Sequence, residues 1–338
     1  MTAGGLVGSL RGLIATQGRG LMVVALVALA AKFLSLTYGA PAMLMALLLG
    51  IAVNFLSEDP RCAPGIQVGA RAILRIGVAL LGVRISVDML RDLGAGVIGL
   101  VIAGVLATIA FGVLLGWIFR RDTQFGLLSG GSVAICGASA AMALSAILPD
   151  RDKAERDLGV TILGVTIMST LAMVLYPVLA RHLSLDDMTS GIFLGASIHD
   201  VAQVVGAGFS LSEPAGEVAV LVKLIRVAML APVVVILSLW FRRRRTTSAG
   251  EHPPAVPGFL LAFAVLAIIN SFGLIPELLR SFLVQLSGWA LLLSMASVGI
   301  RTAPGAMIRI GGWPLLMILA QTLFLLLFVL GGLHFVTA

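Results

Sequence analysis

Charge is scarce in this chain. Only 12% of its 338 residues are Asp, Glu, Lys or Arg, about half the share of a soluble domain. That scarcity excludes a fully solvated surface. There are two cysteines, Cys62 and Cys136; they match no metal-ligand spacing and lie in unlike surroundings, so neither a disulfide nor a metal centre is expected. Polar connections are also rare. The single long one carries Arg242, Arg243, Arg244 and Arg245 and then Pro253 and Pro254. No compact basic domain exists to hold nucleic acid, so the net charge of +7 is assigned to basic loops at a membrane face.

What the chain has instead is apolar length. Hydrophobic residues make up 59% of it and the mean hydropathy is +1.09. Continuous apolar runs of about 17–25 residues recur from end to end, each long enough to cross a bilayer. Backbone in hydrocarbon must satisfy its own hydrogen bonds, and runs that do not alternate select helices over a barrel. The expected class is therefore an all-α polytopic membrane protein. Eleven crossings are read, at about 21–36, 41–56, 66–83, 97–119, 124–147, 158–180, 188–209, 215–240, 257–275, 281–300 and 313–336. Arg11 and Arg19 precede the first run as in a signal peptide, but no small-residue cleavage site follows before Pro41, so a retained helix is expected. Basic residues between the spans fall mostly on the side of the four-arginine linker. This puts the N-terminus in the cytoplasm and the C-terminus outside.

Internal similarity organises the chain further. The run 73–80 (ILRIGVAL) resembles 224–230 (LIRVAML), and 128–140 (LSGGSVAICGASA) resembles 286–298 (LSGWALLLSMASV). Each pair lies five helices apart, and an odd spacing inverts the second copy. The expected organisation is an extra helix over 1–40, a first inverted repeat over 41–180, a second over 181–241 and 257–338, and a cytoplasmic basic linker at 242–256.

Three segments could carry chemistry. Helix 5 contains Gly130, Gly131 and Gly137, each weakening a helix by about 1 kcal/mol relative to Ala. Ser129, Ser132 and Ser139 could satisfy a locally unwound backbone there. Such an interrupted helix would offer N–H groups and a positive dipole end to an anion; close packing through small residues is the competing reading. Helix 7 carries Ser197, His199, Asp200 and Gln203. Ionisable groups within a membrane are costly and mark pathways or proton relays. His199 is expected to couple a proton, with Asp200 holding it or pairing with a base; a structural Asp–Arg lock is the alternative. Helices 3 and 8 bring Arg71, Arg75, Lys223 and Arg226. An unpaired arginine at the bilayer centre costs at least ~2.5–3.5 kcal/mol, and Asp200 cannot neutralise all four. A surplus of buried positive charge argues for an anionic cargo. Arg71 is read as snorkelling to the interface, Arg75 and Arg226 as facing the interior, and Lys223 stays undecided. Ser197, His199 and Asp200 are neighbours on one helix and cannot form a nucleophilic relay, so no enzyme activity is expected.

The runs SVAICGASAAMA, GASIHDVAQVVGAG, VKLIRVAMLAP and GIRT resemble the sulfate exporter, or YeiH-type, family of bacterial inner-membrane proteins. The likeness extends from about residue 41 to the end. It implies a bile-acid-symporter-like fold of ten core helices in two inverted five-helix repeats, with discontinuous crossed helices and elevator-type movement. The crossing pair would be helices 5 and 10. By motif, Cys136, Ser139, His199, Asp200, Gln203, Lys223 and Arg226 carry over as site candidates. Together with the residue-level reading, the expected anion site comprises Ser132, Cys136, Gly137, Ser139, Gln203, Arg75, Lys223 and Arg226, with His199 and Asp200 coupling an ion. A proton or a sodium ion would be that coupling ion, with no cofactor. The expected partners are a small anion of the sulfate, sulfite or sulfonate class, the lipid bilayer and, by analogy with elevator carriers, a second copy of the chain. A cation/proton antiporter using Asp200 and His199 on the same fold is the alternative. A non-transporting scaffold or sensor is a third class.

Overall fold

The computed structural model describes residues 3–85, 87–119, 123–149, 151–242, 258–302 and 312–336. In chain order the helices are α1 (Ala3–Tyr38), α2 (Ala42–Ala52), α3 (Ala63–Val68), α4 (Leu74–Leu80), α5 (Val87–Ile118), α6 (Thr123–Ala134), α7 (Ala138–Ser145), α8 (Arg151–His182), α9 (Asp187–Ser197), α10 (Val201–Leu211), α11 (Glu213–Ala228), α12 (Leu230–Arg242), α13 (Gly258–Ser271), α14 (Glu277–Arg301) and α15 (Gly312–Val336). Among the described residues, seven helical stretches are long and apolar enough to cross a membrane: Thr16–Tyr38, Ala63–Val83, Met89–Ile118, Asp157–His182, Glu213–Phe241, Glu277–Arg301 and Gly312–Val336. These coincide with seven of the eleven expected crossings. The other four, at 41–56, 124–147, 188–209 and 257–275, are built from shorter helices. The basic linker from Arg243 to residue 256 lies outside the described residues.

The chain divides into two compact units, residues 1–86 with 262–306 and residues 87–261 with 307–338. Each unit therefore draws segments from both expected repeats. In the first unit α2 packs along α14 at backbone distance. A Cβ at Gly50 would lie 2.6 Å from the Ala296 carbonyl oxygen, and one at Gly299 would strike the Leu47 carbonyl; only glycine permits that approach. Asn54 Nδ2 donates to Ile300 O at 2.7 Å and Ser287 Oγ to Gly77 O at 2.8 Å, binding α14 to its neighbours. Between α3 and α4 the chain makes a π-helical turn over Gly69–Ile73.

In the second unit the expected interruption of helix 5 is present, as α6 and α7. Its expected partner is not helix 10. α14 runs unbroken from Glu277 to Arg301, and the interrupted companion is the α9–α10 pair. The physical reason is legible in the residues. Where helix 5 has Gly131, α14 has Trp289, a residue that a helix tolerates far better than glycine. Ser294 and Ser297 donate to carbonyls of their own helix. Helix 7, in contrast, places Asp200 at its centre, where it caps a new helix start. Around α6 and α7 a buried apolar cluster of Val105, Leu128, Ile135, Leu144, Leu148 and Val227 fixes both halves.

Candidate functional site at two interrupted helices

α6 ends at Ala134, and the chain turns through Ile135, Cys136 and Gly137 before α7 begins. Gly137 has φ +64° and ψ −124°, a conformation that a side chain would strain. α9 ends at Ser197; Ile198 and Asp200 are extended, and α10 starts at Val201. The two interruptions meet: a Cβ on Gly137 would lie 4.0 Å from His199 Cβ. Two helix C-termini and two helix N-termini are thus gathered in one buried place, each with orphan backbone groups and about half a unit of charge.

The two C-termini are held by cations from α11. Arg226 Nε donates to Ala134 O at 2.8 Å and Nη2 to Val133 O at 2.8 Å, while Nη1 donates to Gly195 O at 3.1 Å and Ile198 O at 2.8 Å. Lys223 Nζ donates to Ile135 O at 2.6 Å and Ile198 O at 2.9 Å. Lys223 is 0% and Arg226 1% exposed. Positive groups at negative helix ends are favourable, and a planar fork suits several carbonyls at once. The serines expected to satisfy the unwound backbone do something else. Ser129 Oγ donates to Phe125 O at 2.8 Å and Ser132 Oγ to Leu128 O at 2.5 Å, both inside regular α6. A long cation reaching across from a packed helix meets bare carbonyls; a serine one turn away reaches only its own helix.

The N-termini are treated unequally. Asp200 Oδ1 accepts from Ala202 N at 2.8 Å, and the Asp200 N–H donates to Ser169 Oγ at 3.0 Å, so α10 begins with a carboxylate. α7 has no side-chain cap and no acid in its first turn. The positive end of α7 is therefore left without a formal negative charge of its own.

Hydroxyl groups orient three further side chains. Thr322 Oγ1 donates to Ile318 O at 2.8 Å, so its proton is engaged and it accepts from His199 Nε2 at 2.9 Å. This assigns the Nε2–H tautomer and leaves Nδ1 as a bare acceptor. Likewise Thr170 donates to Thr166 O and accepts from Gln203 Nε2 at 2.8 Å. Ser129 accepts from Gln321 Nε2 at 3.0 Å. The remaining acceptors, His199 Nδ1, Gln203 Oε1 and Gln321 Oε1, are buried without a hydrogen-bond partner. An unpartnered buried acceptor is unfavourable until something donates to it.

The structure thus brings Cys136, Gly137, His199, Asp200, Lys223 and Arg226 together, with Gln203 one turn into α10. Ser132 lies one turn before the first break, and Ser139 is exposed in the first turn of α7. The remaining expected residue is Arg75. It belongs to the first unit and is exposed on α4. Reading residues by sequence missed Ser169 and Thr170 on α8 and Gln321 and Thr322 on α15. Their signal was present, since each is one of two adjacent polar residues in an otherwise apolar span.

A family model described as Conserved hypothetical protein 698 matches residues 19–318. The UPF0324 membrane protein TauZ of Paracoccus pantotrophus is 56% identical over 327 residues, covering 96% of this chain and 97% of that protein. TauZ of Paracoccus denitrificans is likewise 56% identical over 327 residues, with the same coverage of each chain. The UPF0324 inner membrane protein YeiH of Escherichia coli (strain K12) is 33% identical over 302 residues, covering 87% and 85% of the two chains.

Proposed function

The chain belongs to the YeiH-type UPF0324 family of membrane proteins, and we propose that it is a secondary transporter of a small anion of the sulfate, sulfite or sulfonate class. The observation that carries this reading is the charge gathered at the two interruptions. Lys223 and Arg226 bring two formal positive charges and Asp200 one negative, while two helix N-termini and two C-termini offset one another. One positive charge remains, beside the uncapped start of α7. Donors remain as well: Arg226 uses four of its five N–H groups and Lys223 two of its three. A single oxyanion would meet both needs.

His199 is the coupling group in this reading. Its Nδ1 lone pair is enclosed, and a proton needs no added space. Alternating access would expose the crossing first to one side of the inner membrane and then to the other, with the N-terminus in the cytoplasm. Uptake of radiolabelled sulfate, sulfite and 2-aminoethanesulfonate into proteoliposomes tests the proposal. At least one should be transported, faster with a pH gradient, and His199→Gln should remove the gradient's effect. Competition by cations, with none by any of these anions, would refute it.

The enclosed acceptors Gln203 Oε1 and His199 Nδ1, beside Asp200, favour a second reading, a cation/proton antiporter. Asp200→Asn would abolish cation exchange in that case, and Arg75→Ala would spare it.

A further inference from the structure

We propose that Arg71 and Arg75 line a water-filled passage for anions, at mid-depth of the bilayer, on the Ala63–Val83 span of the first unit. The central residue of that 21-residue span is Ile73. Arg71 and Arg75 each stand two residues from it, about 3 Å along a helix axis. With hydrocarbon extending about 15 Å to either side, roughly 12 Å separates each Cα from an interface, too far for a guanidinium to reach by snorkelling. On this placement Arg71 stands inward of the interface to which it was expected to snorkel. Both residues are exposed, and neither side chain has a hydrogen bond or ion pair among the described residues. They are four apart, so they share a face, and Arg71 lies in the π-helical turn Gly69–Ile73; such turns gather at functional positions.

A guanidinium cannot rest against lipid tails at this depth. Taking the first unit by itself, three surroundings could accept it: an acid of that unit, a second copy of the chain, or water. The described acids of the first unit are Glu58 and Asp59, which lie between α2 and α3, and Glu277 at the start of α14. None is at mid-span. A second copy packed through this same unit would bring two more arginines and no carboxylate to the contact, a like-charge arrangement. Water remains, and a column of water beside two fixed positive charges concentrates anions. The inference rests on the anion reading for what moves through the passage, but its test requires no transport.

Arg75→Cys in proteoliposomes would be exposed to two membrane-impermeant methanethiosulfonates, one ending in a sulfonate and one in a trimethylammonium group. The wild-type chain supplies the background, since Cys62 and Cys136 are both buried. Both reagents should label the variant. After correction for their rates with a free thiol, the sulfonate should react about tenfold faster, the effect of one positive charge a helical turn away in water. Adding Arg71→Gln should remove that preference. Arg71→Cys, with Arg75 in place, should behave in the same way and guards against a variant that fails to fold. The proposal is overturned if only a membrane-permeant maleimide labels these positions, if oxidation cross-links two chains of the Arg75→Cys variant through the introduced thiol, or if the reagents show no preference by charge. Transport of an anion with no such labelling would sink the passage and leave the carrier reading standing.

Discussion

Two pairs of basic residues occupy membrane-spanning helices of this protein, and they are opposite in kind. Lys223 and Arg226 are buried in the second unit, with six hydrogen bonds to the carbonyls of five residues. Arg71 and Arg75 are exposed in the first unit and have none among the described residues. Sequence alone groups Arg75 with Arg226, as arginines facing the interior of apolar spans. The structure makes the first pair part of the backbone's own hydrogen bonding and leaves the second pair exposed. Charge in a membrane segment therefore marks function only after the backbone's claim on it has been met.

The comparison breaks most visibly at Arg226. Arg226→Met leaves three carbonyls of two helix ends without a donor, those of Val133, Ala134 and Gly195, since Lys223 still donates to Ile198 O; each costs about 1–3 kcal/mol when buried and unsatisfied. The variant should lose several kcal/mol and fail to give a monodisperse peak in detergent. Arg226→Lys should rescue little, because an ammonium cannot fork across carbonyls on two separate helices. Arg75→Gln is the counterpart. It should change stability by no more than about 0.5 kcal/mol, as exposed substitutions do, yet lower anion uptake severalfold. If thermal midpoints of the two variants fall together, the contrast between the pairs is wrong.

Thr322→Val sharpens the account within the second unit. Losing the hydroxyl leaves the His199 Nε2–H without its acceptor, at about 1–3 kcal/mol, and frees the ring to change tautomer. Uptake should then shift in pH dependence, whereas a packing role alone would lower the rate equally at every pH. Arg226, Lys223, Asp200 and Cys136 also bear on this ring or on one another through charge, so the profile should be compared with that of Thr322→Ser, which keeps the bond. An effect on stability alone, with transport unchanged, is expected at a helix start outside the spans. Asp186 Oδ1 accepts from Thr189 N at 2.7 Å, and those hydrogen bonds hold its carboxyl below the usual aspartate value. Asp186→Ala should cost about 1 kcal/mol. Because the folded-state value is depressed, this stabilisation is present above the unfolded value and is lost as pH falls through the folded one. The wild-type advantage in thermal midpoint should therefore vanish only at strongly acidic pH.

Much of the fold was legible because apolar length is a local property. Seven crossings could be read off as uninterrupted runs, and the glycines of helix 5 marked a real interruption. The α9–α10 break was harder to see. Its cause is a single capping aspartate, and Asp200 in an apolar run reads equally well as a proton carrier or an ion-pair partner. Helix 10 was expected to break because its small residues align with those of helix 5, but small residues also serve close packing, as Gly299 does against α2. At the site, His199, Asp200, Lys223 and Arg226 stood out as expensive guests in a membrane. Which carbonyls Lys223 and Arg226 would cap depended on how α11 packs against two other helices, which no spacing encodes. Thr170, Gln321 and Thr322 act through hydroxyls already bonded to their own helices or through a partner hydroxyl so bonded, a relation visible only in three dimensions.

The central claim is that an oxyanion binds where the start of α7 meets His199. Anomalous diffraction from crystals soaked in selenate tests it most directly. A selenium peak is expected within hydrogen-bonding reach of the α7 amides, weakened when Lys223 is replaced by Met in a variant that still crystallises. A map at saturating selenate with no peak at the crossing, or with its peaks confined to other parts of the molecule, would contradict it.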